Sequence, residues 1–300
     1  MKIVVAGGSG FVGEPLVRRL IARGNDVTVL SRDPSKVRAG RGVQWDGKSA
    51  GPWTKEIDAA GAVINLAGES IAGGRWTEER KRRLVASRLD ATNAIVAALK
   101  SASPGKRTLI NASAIGFYGS DRDEELDEKS SKGRGFLADI VDKWESAANV
   151  AQPAARVVLM RFGVVLASDG GALPQMLMPF RFGAGGRVGS GRQWMSWVDR
   201  DDLLSAMEWA LDNENARGVY NVTAPAPVRN RDFARIAGRV LRRPSIMPVP
   251  GFALRLMFGK EMADAILLGG QRVIPRRLQA EGFRFAHAEL ESALRETLRR

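Results

Sequence analysis

A short apolar run at the start of the chain leads without a spacer into the glycine-rich stretch Gly7-Gly8-Ser9-Gly10-Phe11-Val12-Gly13. The run from Lys2 to Ala6 predicts a buried strand, and the apolar spacing from Phe11 to Arg23 predicts a helix. A second strand is predicted from Val27 to Ser31. A strand that turns directly into a helix and returns as a strand is a βαβ unit, and such a unit requires a parallel sheet.

The glycines of this stretch fit the turn that binds the pyrophosphate of a dinucleotide. Gly7 permits a tight turn, Gly10 lets the backbone approach the phosphates, and Gly13 allows close packing of helix and strand. The phosphates would face the free N–H groups at the start of the helix. The alternative is a flexible loop between strand and helix. We therefore predict a Rossmann fold whose turn binds the cofactor through these residues: Gly7, Ser9, Gly10, Phe11, Val12 and Gly13.

The first half of the chain continues to alternate buried strands with amphipathic helices. Further strands are predicted at Ala62–Leu66, Arg107–Ala112 and Arg156–Leu166, and long helices at Glu78–Leu99 and Phe136–Val150. This alternation is typical of an α/β, doubly wound parallel sheet that helices cover on both faces.

The composition of the sequence changes after Ser168: glycine and proline become frequent, and predicted helices outnumber predicted strands. We therefore predict two parts. Residues 1–167 form an NADP(H)-binding Rossmann domain, and residues 168–300 form a smaller, mainly helical C-terminal portion that binds the substrate.

The end of the second strand indicates which dinucleotide is bound. An NAD-binding turn usually has Asp or Glu there, which holds the ribose hydroxyls. This chain has Ser31 and Arg32, and Asp33 comes late. A guanidinium can grip a 2′-phosphate with two hydrogen bonds, whereas the alternative for Arg32 is a solvated loop residue. The pattern favours NADP(H) over NAD(H).

Composition excludes several classes of site. There is no cysteine, and His287 is the only histidine, so we expect no metal site and place His287 at the surface. No apolar run approaches the roughly 20 residues of a membrane span, and the N-terminus lacks the pattern of a signal peptide. We therefore expect a cytoplasmic protein without a membrane partner.

The formal net charge is +13, from 46 Lys and Arg against 33 Asp and Glu. Such a balance attracts polyanions, including nucleic acids and anionic lipid surfaces. The cations are dispersed, however, and no aromatic and basic stripe accompanies them. We expect a small-molecule substrate rather than a nucleic-acid partner, and the sequence leaves a homodimer open.

Several strings spread over the chain resemble those of one protein superfamily. They are Asn65-Leu66-Ala67-Gly68-Glu69-Ser70-Ile71, Arg75-Trp76-Thr77, Ser87-Arg88, Asn111-Ala112-Ser113-Ala114, Gly189-Ser190-Gly191-Arg192-Gln193 and Gly270-Gln271-Arg272-Val273-Ile274-Pro275. With the glycine turn, they resemble the extended short-chain dehydrogenases/reductases. More narrowly, the chain is similar to an atypical branch, the NAD(P)-dependent epimerase/dehydratase-like proteins often labelled SulA-like.

This resemblance implies a cleft that holds the nicotinamide between the Rossmann domain and the C-terminal portion. It places Ser31 and Arg32 at the phosphate of the adenosine ribose. It also implies that the following residues lie beside the cofactor: Asn65, Leu66, Ala67, Gly68, Arg83, Arg88 and Val164. Arg83 has the alternative of belonging to a solvated charge run.

The proton-transfer pair of the superfamily is absent. Its reductases use a Tyr whose pKa is lowered by a Lys four residues later, with a Ser or Thr that polarises the substrate carbonyl. Ser113 stands where that hydroxyl belongs, but the Tyr position falls at Phe136 and the Lys position at Ile140. Neither side chain can transfer a proton.

Other residues are candidates for the missing chemistry. Tyr118 borders the expected cleft, with a half-buried loop aromatic as the alternative, and Glu69 could act as a carboxylate acid or base. A substrate contact is expected on a glycine-rich loop at Ser190, Arg192 and Gln193, which could equally be a plain connector. The candidate catalytic residues are thus Ser113, Tyr118 and Glu69.

Two functions remain in competition. The first is an NADP(H)-dependent oxidoreductase or epimerase that acts on a small polar substrate with a non-standard proton donor. The second is a catalytically silent protein that binds the cofactor as a sensor or scaffold. A nucleic-acid-associated role ranks third, because only the net charge supports it.

Overall fold

The computed structural model describes residues 1–299. Its first half alternates strands and helices as the sequence predicts. The elements are β1 (Lys2–Ala6), α1 (Gly13–Ala22), β2 (Asp26–Ser31), β3 (Arg41–Gln44), α2 (Thr54–Asp58), β4 (Ala62–Asn65), α3 (Glu78–Ser101), β5 (Thr108–Ala114), β6 (Asp121–Leu126), α4 (Phe136–Asn149) and β7 (Arg156–Phe162). Each strand and helix predicted for this half is present, and no predicted bound differs from the observed one by more than four residues.

The second half is built from shorter elements. They are β8 (Val164–Ala167), β9 (Gly170–Gly171), α5 (Leu173–Arg181), β10 (Trp194–Met195), β11 (Trp197–Asp199), α6 (Arg200–Asp212), β12 (Gly218–Val222), β13 (Val228–Arg229), α7 (Asn230–Leu241), α8 (Gly251–Phe258), α9 (Lys260–Met262), β14 (Gly270–Val273), α10 (Arg276–Ala280) and α11 (Leu290–Thr297). A π-helical turn, Ala263–Leu268, lies between α9 and β14.

Seven strands form one parallel sheet in the order β12-β7-β5-β4-β1-β2-β3. The order reverses at β1, so connections run outward in both directions from this strand. The doubly wound parallel sheet predicted from the sequence is therefore confirmed. At such a reversal the carboxyl ends of the strands leave a crevice in which ligands bind.

The core lies on both faces of this sheet. Successive residues of β1 point to opposite sides, so Ile3 and Val5 pack with α1 and α6, whereas Val4 and Ala6 pack with α2 and α3. Strands that are buried on both faces appear in the sequence as continuous apolar runs. This is why the strands of the first half can be read from the sequence.

The C-terminal portion contributes one strand to the sheet and one helix to its cover. Strand β12 pairs with β7 from Gly218↔Val158 to Val222↔Phe162, and α6 packs on α1. Both elements follow the predicted division at residue 167. Three small sheets remain, β11-β8-β9, β10-β13 and β14-β6, and the last of them joins the C-terminal portion to β6.

Two expectations were wrong. The strand predicted at Arg156–Leu166 is broken at Gly163, where a Cβ would lie 2.7 Å from the carbonyl oxygen of Ser196, and β8 leaves for another sheet. His287 is buried rather than at the surface, with Nδ1 3.6 Å from Glu296 and Nε2 3.8 Å from Asp199.

Among residues 1–299, no helix combines the length and apolar character that a membrane span requires.

Candidate cofactor site and adjoining cleft

The glycine turn is closed by its own backbone. Gly7 has φ of +76°, and the N–H of Gly10 donates to the carbonyl oxygen of Gly7 at 3.1 Å. A Cβ on Gly13 would lie only 2.2 Å from that oxygen, and one on Gly7 would lie 2.8 Å from the carbonyl oxygen of Leu66. Glycine is therefore required at Gly7 and Gly13 by close contacts that no side chain permits.

The start of α1 presents unused backbone donors. No side chain caps this helix, and no acceptor within residues 1–299 faces the N–H groups of Phe11 and Val12. Ser9 and Gly10 are exposed beside them. These donors and the positive end of the helix dipole form a suitable site for a pyrophosphate.

The ring of Phe11 is held by the segment that follows β8. Cβ atoms on Gly170 and Gly171 would lie 2.7 and 2.8 Å from the ring. The guanidinium of Arg200 lies 5.1 Å from the ring centroid and forms two bonds of 2.6 and 2.9 Å with Asp169. The C-terminal portion thus fixes one side of the turn.

The end of β2 presents a cation. Arg32 is exposed, and nothing within residues 1–299 pairs with its guanidinium. The carboxylate of Asp33 instead accepts from the N–H and hydroxyl of Ser35 and pairs with Lys36 at 3.0 Å, which lowers the pKa of Asp33. The hydroxyl of Ser31 donates to the carbonyl oxygen of Asp33 at 2.9 Å.

Asn65 shapes the segment that follows β4. It is fully buried and donates to Asn111 at 2.7 Å and Thr92 at 2.9 Å. Its Oδ1 accepts from the N–H of Ala67 at 3.1 Å. The side chain of Asn65 therefore fixes the backbone of the segment Leu66, Ala67 and Gly68, which the family resemblance predicts to lie beside the cofactor.

Arg88 of α3 lies against this segment. It donates to the carbonyl oxygens of Leu84 and Glu69 at 3.0 Å, and a Cβ on Gly68 would lie 3.3 Å from its Cγ. Burial lowers the pKa of Arg88 to about 10, and the negative charge of Glu69 acts in the opposite direction. A buried cation that forms no salt bridge with a carboxylate within residues 1–299, and that lies beside the predicted path of the cofactor, suits an anionic ligand.

Arg83 and Glu69 lie further out on the same side. Glu69 pairs with Arg80 at 2.5 Å and Arg83 at 3.3 Å, and its side chain is 34% exposed. Arg83 is largely exposed and also faces Glu79 at 4.0 Å. Val164 lies at the start of β8, where its N–H donates to the carbonyl oxygen of Ser196 at 2.9 Å.

The other two candidate catalytic residues face inward. Ser113 is 2% exposed, and its hydroxyl donates to Glu145 at 2.5 Å. Tyr118 is fully rather than half-buried: its hydroxyl donates to Asn221 at 2.7 Å and accepts from Arg161 at 2.9 Å. Burial raises the pKa of Tyr118 to about 12.

Glu145 and Arg161 join these residues into one buried network. Two bonds of 2.7 Å connect the carboxylate and the guanidinium, and the guanidinium also stacks 3.5 Å from the ring centroid of Phe117. The sequence interpretation missed this pair. The sequence feature that could have revealed the pair is Arg161, a charged residue inside the apolar strand Arg156–Phe162.

The positions of the absent Tyr and Lys are apolar in the structure as well. Phe136 begins α4 and packs edge-on against Trp76 at 5.1 Å between ring centroids, and Ile140 is buried one turn later. The ammonium of Lys81 lies 5.7 Å from the ring centroid of Phe136 and pairs with Glu261 of the C-terminal portion.

A cleft of about 520 Å³ opens beside Phe136, between the start of α4 and the C-terminal segment around α8. Aromatic rings form one part of its wall, and charged groups from both parts of the chain form another. Its lining includes Trp76, Arg134, Phe136, Arg255, Asp264 and Leu268. Among these, Arg255 pairs with Asp264 at 2.7 Å, and Arg134 is exposed.

The predicted substrate loop lies outside the lining of this cleft. The hydroxyl of Ser190 accepts from the N–H of Arg192 at 3.2 Å, and both residues are exposed. Gln193 donates to the carbonyl oxygens of Val188 and Leu267 at 3.0 and 2.9 Å, so it ties the loop to the segment beside the cleft. Their substrate role stays a prediction.

The sheet and its glycine turn define an NAD(P)-binding protein of the Rossmann type. More particularly, the chain belongs to the NAD-dependent epimerase/dehydratase family, whose model matches residues 3–223. A domain of unknown function (DUF1731) matches residues 249–297. The family resemblance of the sequence is therefore confirmed.

Relatives match over nearly the whole chain. The epimerase family protein SDR39U1 of Bos taurus is 37% identical, over 99% of this chain and 100% of that protein. The epimerase family protein MT2273 of Mycobacterium tuberculosis is 41% identical, over 97% and 96%. The crystal structure of human SDR39U1 (isoform 2) with NADPH superimposes with a TM-score of 0.91 at 36% identity, over 100% and 99% of the two chains.

Proposed function

We propose that this protein binds NADP(H) at the glycine turn and transfers hydride to or from a small polar substrate held in the cleft beside Phe136. The observation that carries the cofactor choice is the exposed, unpaired guanidinium of Arg32 at the end of β2, while Asp33 is held in its own turn. A 2′-phosphate is the ligand that such a cation recognises best. The NADPH named for the human relative supports the same choice.

Replacing Arg32 by Glu is expected to weaken NADPH binding by about thirtyfold or more, because a charge-assisted contact contributes about 2 kcal/mol. NADH, which lacks the 2′-phosphate, should change by less than about threefold. The seven tryptophans allow both titrations by fluorescence.

The matched control is Arg284→Glu, which makes the same charge change on an exposed residue next to Phe283. Phe283 contacts Trp209, which packs on Tyr220 of β12, the opposite edge of the sheet from β3. Equal weakening of NADPH and NADH by Arg32→Glu would contradict the 2′-phosphate assignment.

We further propose Glu69 as the proton-transfer group. Its carboxylate pairs with Arg80 and Arg83, but of the three candidates it alone is partly exposed. The hydroxyls of Ser113 and Tyr118 are buried and hydrogen-bonded within the protein. It directly follows Gly68, which the resemblance places beside the cofactor. General acid–base catalysis contributes about a hundredfold or more. Glu69→Gln should therefore lower NADPH-dependent turnover of a carbonyl substrate by about a hundredfold while the Kd of NADPH stays unchanged.

A catalytically silent sensor or scaffold is the second candidate function. Apolar side chains at Phe136 and Ile140, together with the burial of Ser113 and Tyr118, favour it. It would replace the first proposal if the wild-type protein bound NADPH but oxidised none with a broad panel of carbonyl substrates.

The cytoplasmic location expected from the sequence stays a prediction.

A further inference from the structure

Exposed apolar side chains are concentrated in one part of the molecule. Among residues 1–299, ten large apolar side chains are exposed, and seven of them come from residues 170–198 and 233–260. Their exposed fractions range from 53% to 82%. They are Met178, Phe182, Ile246, Met247, Phe252, Leu256 and Met257.

Helix α8 shows this most clearly. Six of its eight residues are apolar, yet none of the eight is buried. Phe252 and Leu256 stand one turn apart on the same face and are 72% and 77% exposed. Ala253, Leu254 and Phe258 are half-buried and attach the helix to the fold. The opposite, exposed face is suited to contact something outside the chain.

The two segments form one continuous surface. The N–H of Met247 donates to the carbonyl oxygen of Gly185 at 3.0 Å, and that of Val249 donates to the carbonyl oxygen of Arg187 at 2.9 Å. The backbone that follows Phe182 therefore lies directly beside the backbone of Ile246 and Met247. We call the exposed side chains of residues 170–198 and 233–260 the basic apolar surface.

The same two segments contain no acidic residue, and an acidic residue directly follows or precedes each of their four ends: Asp169, Asp199, Asp232 and Glu261. They carry nine Arg and Lys residues, which is a large part of the chain's net charge of +13. Three of these cations pair with carboxylates from other segments. The other six have no carboxylate partner within residues 1–299: Arg181, Arg187, Arg192, Arg242, Arg243 and Lys260.

This combination selects among possible partners. A second copy in a twofold dimer would place the same cations against each other, which is unfavourable. Nucleic acid would pair with the arginines but would leave the apolar side chains without a counterpart. An anionic lipid surface satisfies both, because apolar side chains enter the boundary between headgroups and acyl chains while cations attract the headgroups.

We propose that the basic apolar surface docks the protein peripherally on bilayers that contain anionic lipid. No membrane partner was expected from the sequence, because that expectation considered only segments able to span a bilayer. Peripheral docking needs no such segment. It goes beyond the cofactor function and does not depend on it.

The test is co-sedimentation with vesicles of phosphatidylcholine alone and of phosphatidylcholine mixed with phosphatidylglycerol. The wild-type protein should bind the mixed vesicles and not the neutral ones. Arg242→Gln with Arg243→Gln should weaken binding about thirtyfold, since each cation near such a surface contributes about fivefold. Phe252→Ser with Leu256→Ser should weaken it at least about tenfold.

The matched control is Ile21→Ser with Val150→Ser, which removes two exposed apolar side chains elsewhere and should leave vesicle binding unchanged. All variants should retain wild-type affinity for NADPH, so that failure of docking is distinguishable from failure of the cofactor proposal. Absence of binding to the mixed vesicles, or full binding by the Phe252→Ser, Leu256→Ser variant, would overturn the proposal. A dimer in sedimentation velocity that this variant abolishes, or tighter binding to duplex DNA than to vesicles, would assign the surface to another partner.

Discussion

The Gly13→Ala variant is expected to fold but to bind NADPH at least about a hundredfold more weakly than the wild-type protein. The added Cβ would lie 2.2 Å from the carbonyl oxygen of Gly7, whereas an ordinary contact between these atom types is about 3.3 Å or longer. The turn and the helix must therefore separate by about 1 Å, and displacements of that size in a binding site cost about two orders of magnitude.

The free energy of unfolding should fall as well. Overpacking at one position typically costs about 1–3 kcal/mol, because the neighbouring backbone can shift. Gly61→Ala is the matched control, since a Cβ there would meet its nearest neighbour at 3.5 Å, an ordinary contact. Fluorescence titration with NADPH and thermal unfolding measure both effects. Wild-type affinity in Gly13→Ala would show that the cofactor does not use this turn.

The second large effect concerns the buried ion pair beneath the candidate site. Glu145→Leu should lower the free energy of unfolding by about 3–5 kcal/mol, because it leaves the guanidinium of Arg161 buried without a counter-charge. Both side chains are almost fully buried, at 8% and 4% exposed, and two bonds of 2.7 Å connect them. Urea denaturation measures the change.

Removal of both charges provides the internal check. The double variant Glu145→Leu, Arg161→Met should recover much of the lost stability, because no unpaired charge is then buried. At the exposed pair of Glu14 and Arg18, Glu14→Gln should cost less than about 1 kcal/mol. A Glu145→Leu variant as stable as the Glu14→Gln variant would mean that the pair does not hold α4 and β7 together.

The sheet and the glycine turn could be predicted from the sequence because both depend on local rules. Strands buried on two faces are apolar throughout, as Val4 and Val5 show, and the turn itself calls for glycine through the positive φ of Gly7 and the contact of Gly13 with Gly7. The packing of β12 on β7 was not predicted, because it joins residues about sixty positions apart and no local pattern reports it.

The roles of individual polar residues were harder to predict for the same reason. Ser113 stands at the right place in the sequence, but its strand directs the hydroxyl toward Glu145, which lies on another element. Tyr118 is buried because Arg161 and Asn221, from two other strands, both bond its hydroxyl. The cleft beside Phe136 depends on α8 and α9, which lie more than a hundred residues further along the chain.

The position of β12 has a consequence for synthesis on the ribosome. The six strands from β1 to β7 that belong to the sheet emerge first, but β7 remains an open edge until residue 222 has been made. An open edge of unpaired backbone groups invites pairing with other chains. The nascent protein is therefore prone to aggregate until about three quarters of its length has left the ribosome. Fragments that end near residue 167 are expected to aggregate rather than accumulate as a free cofactor-binding unit.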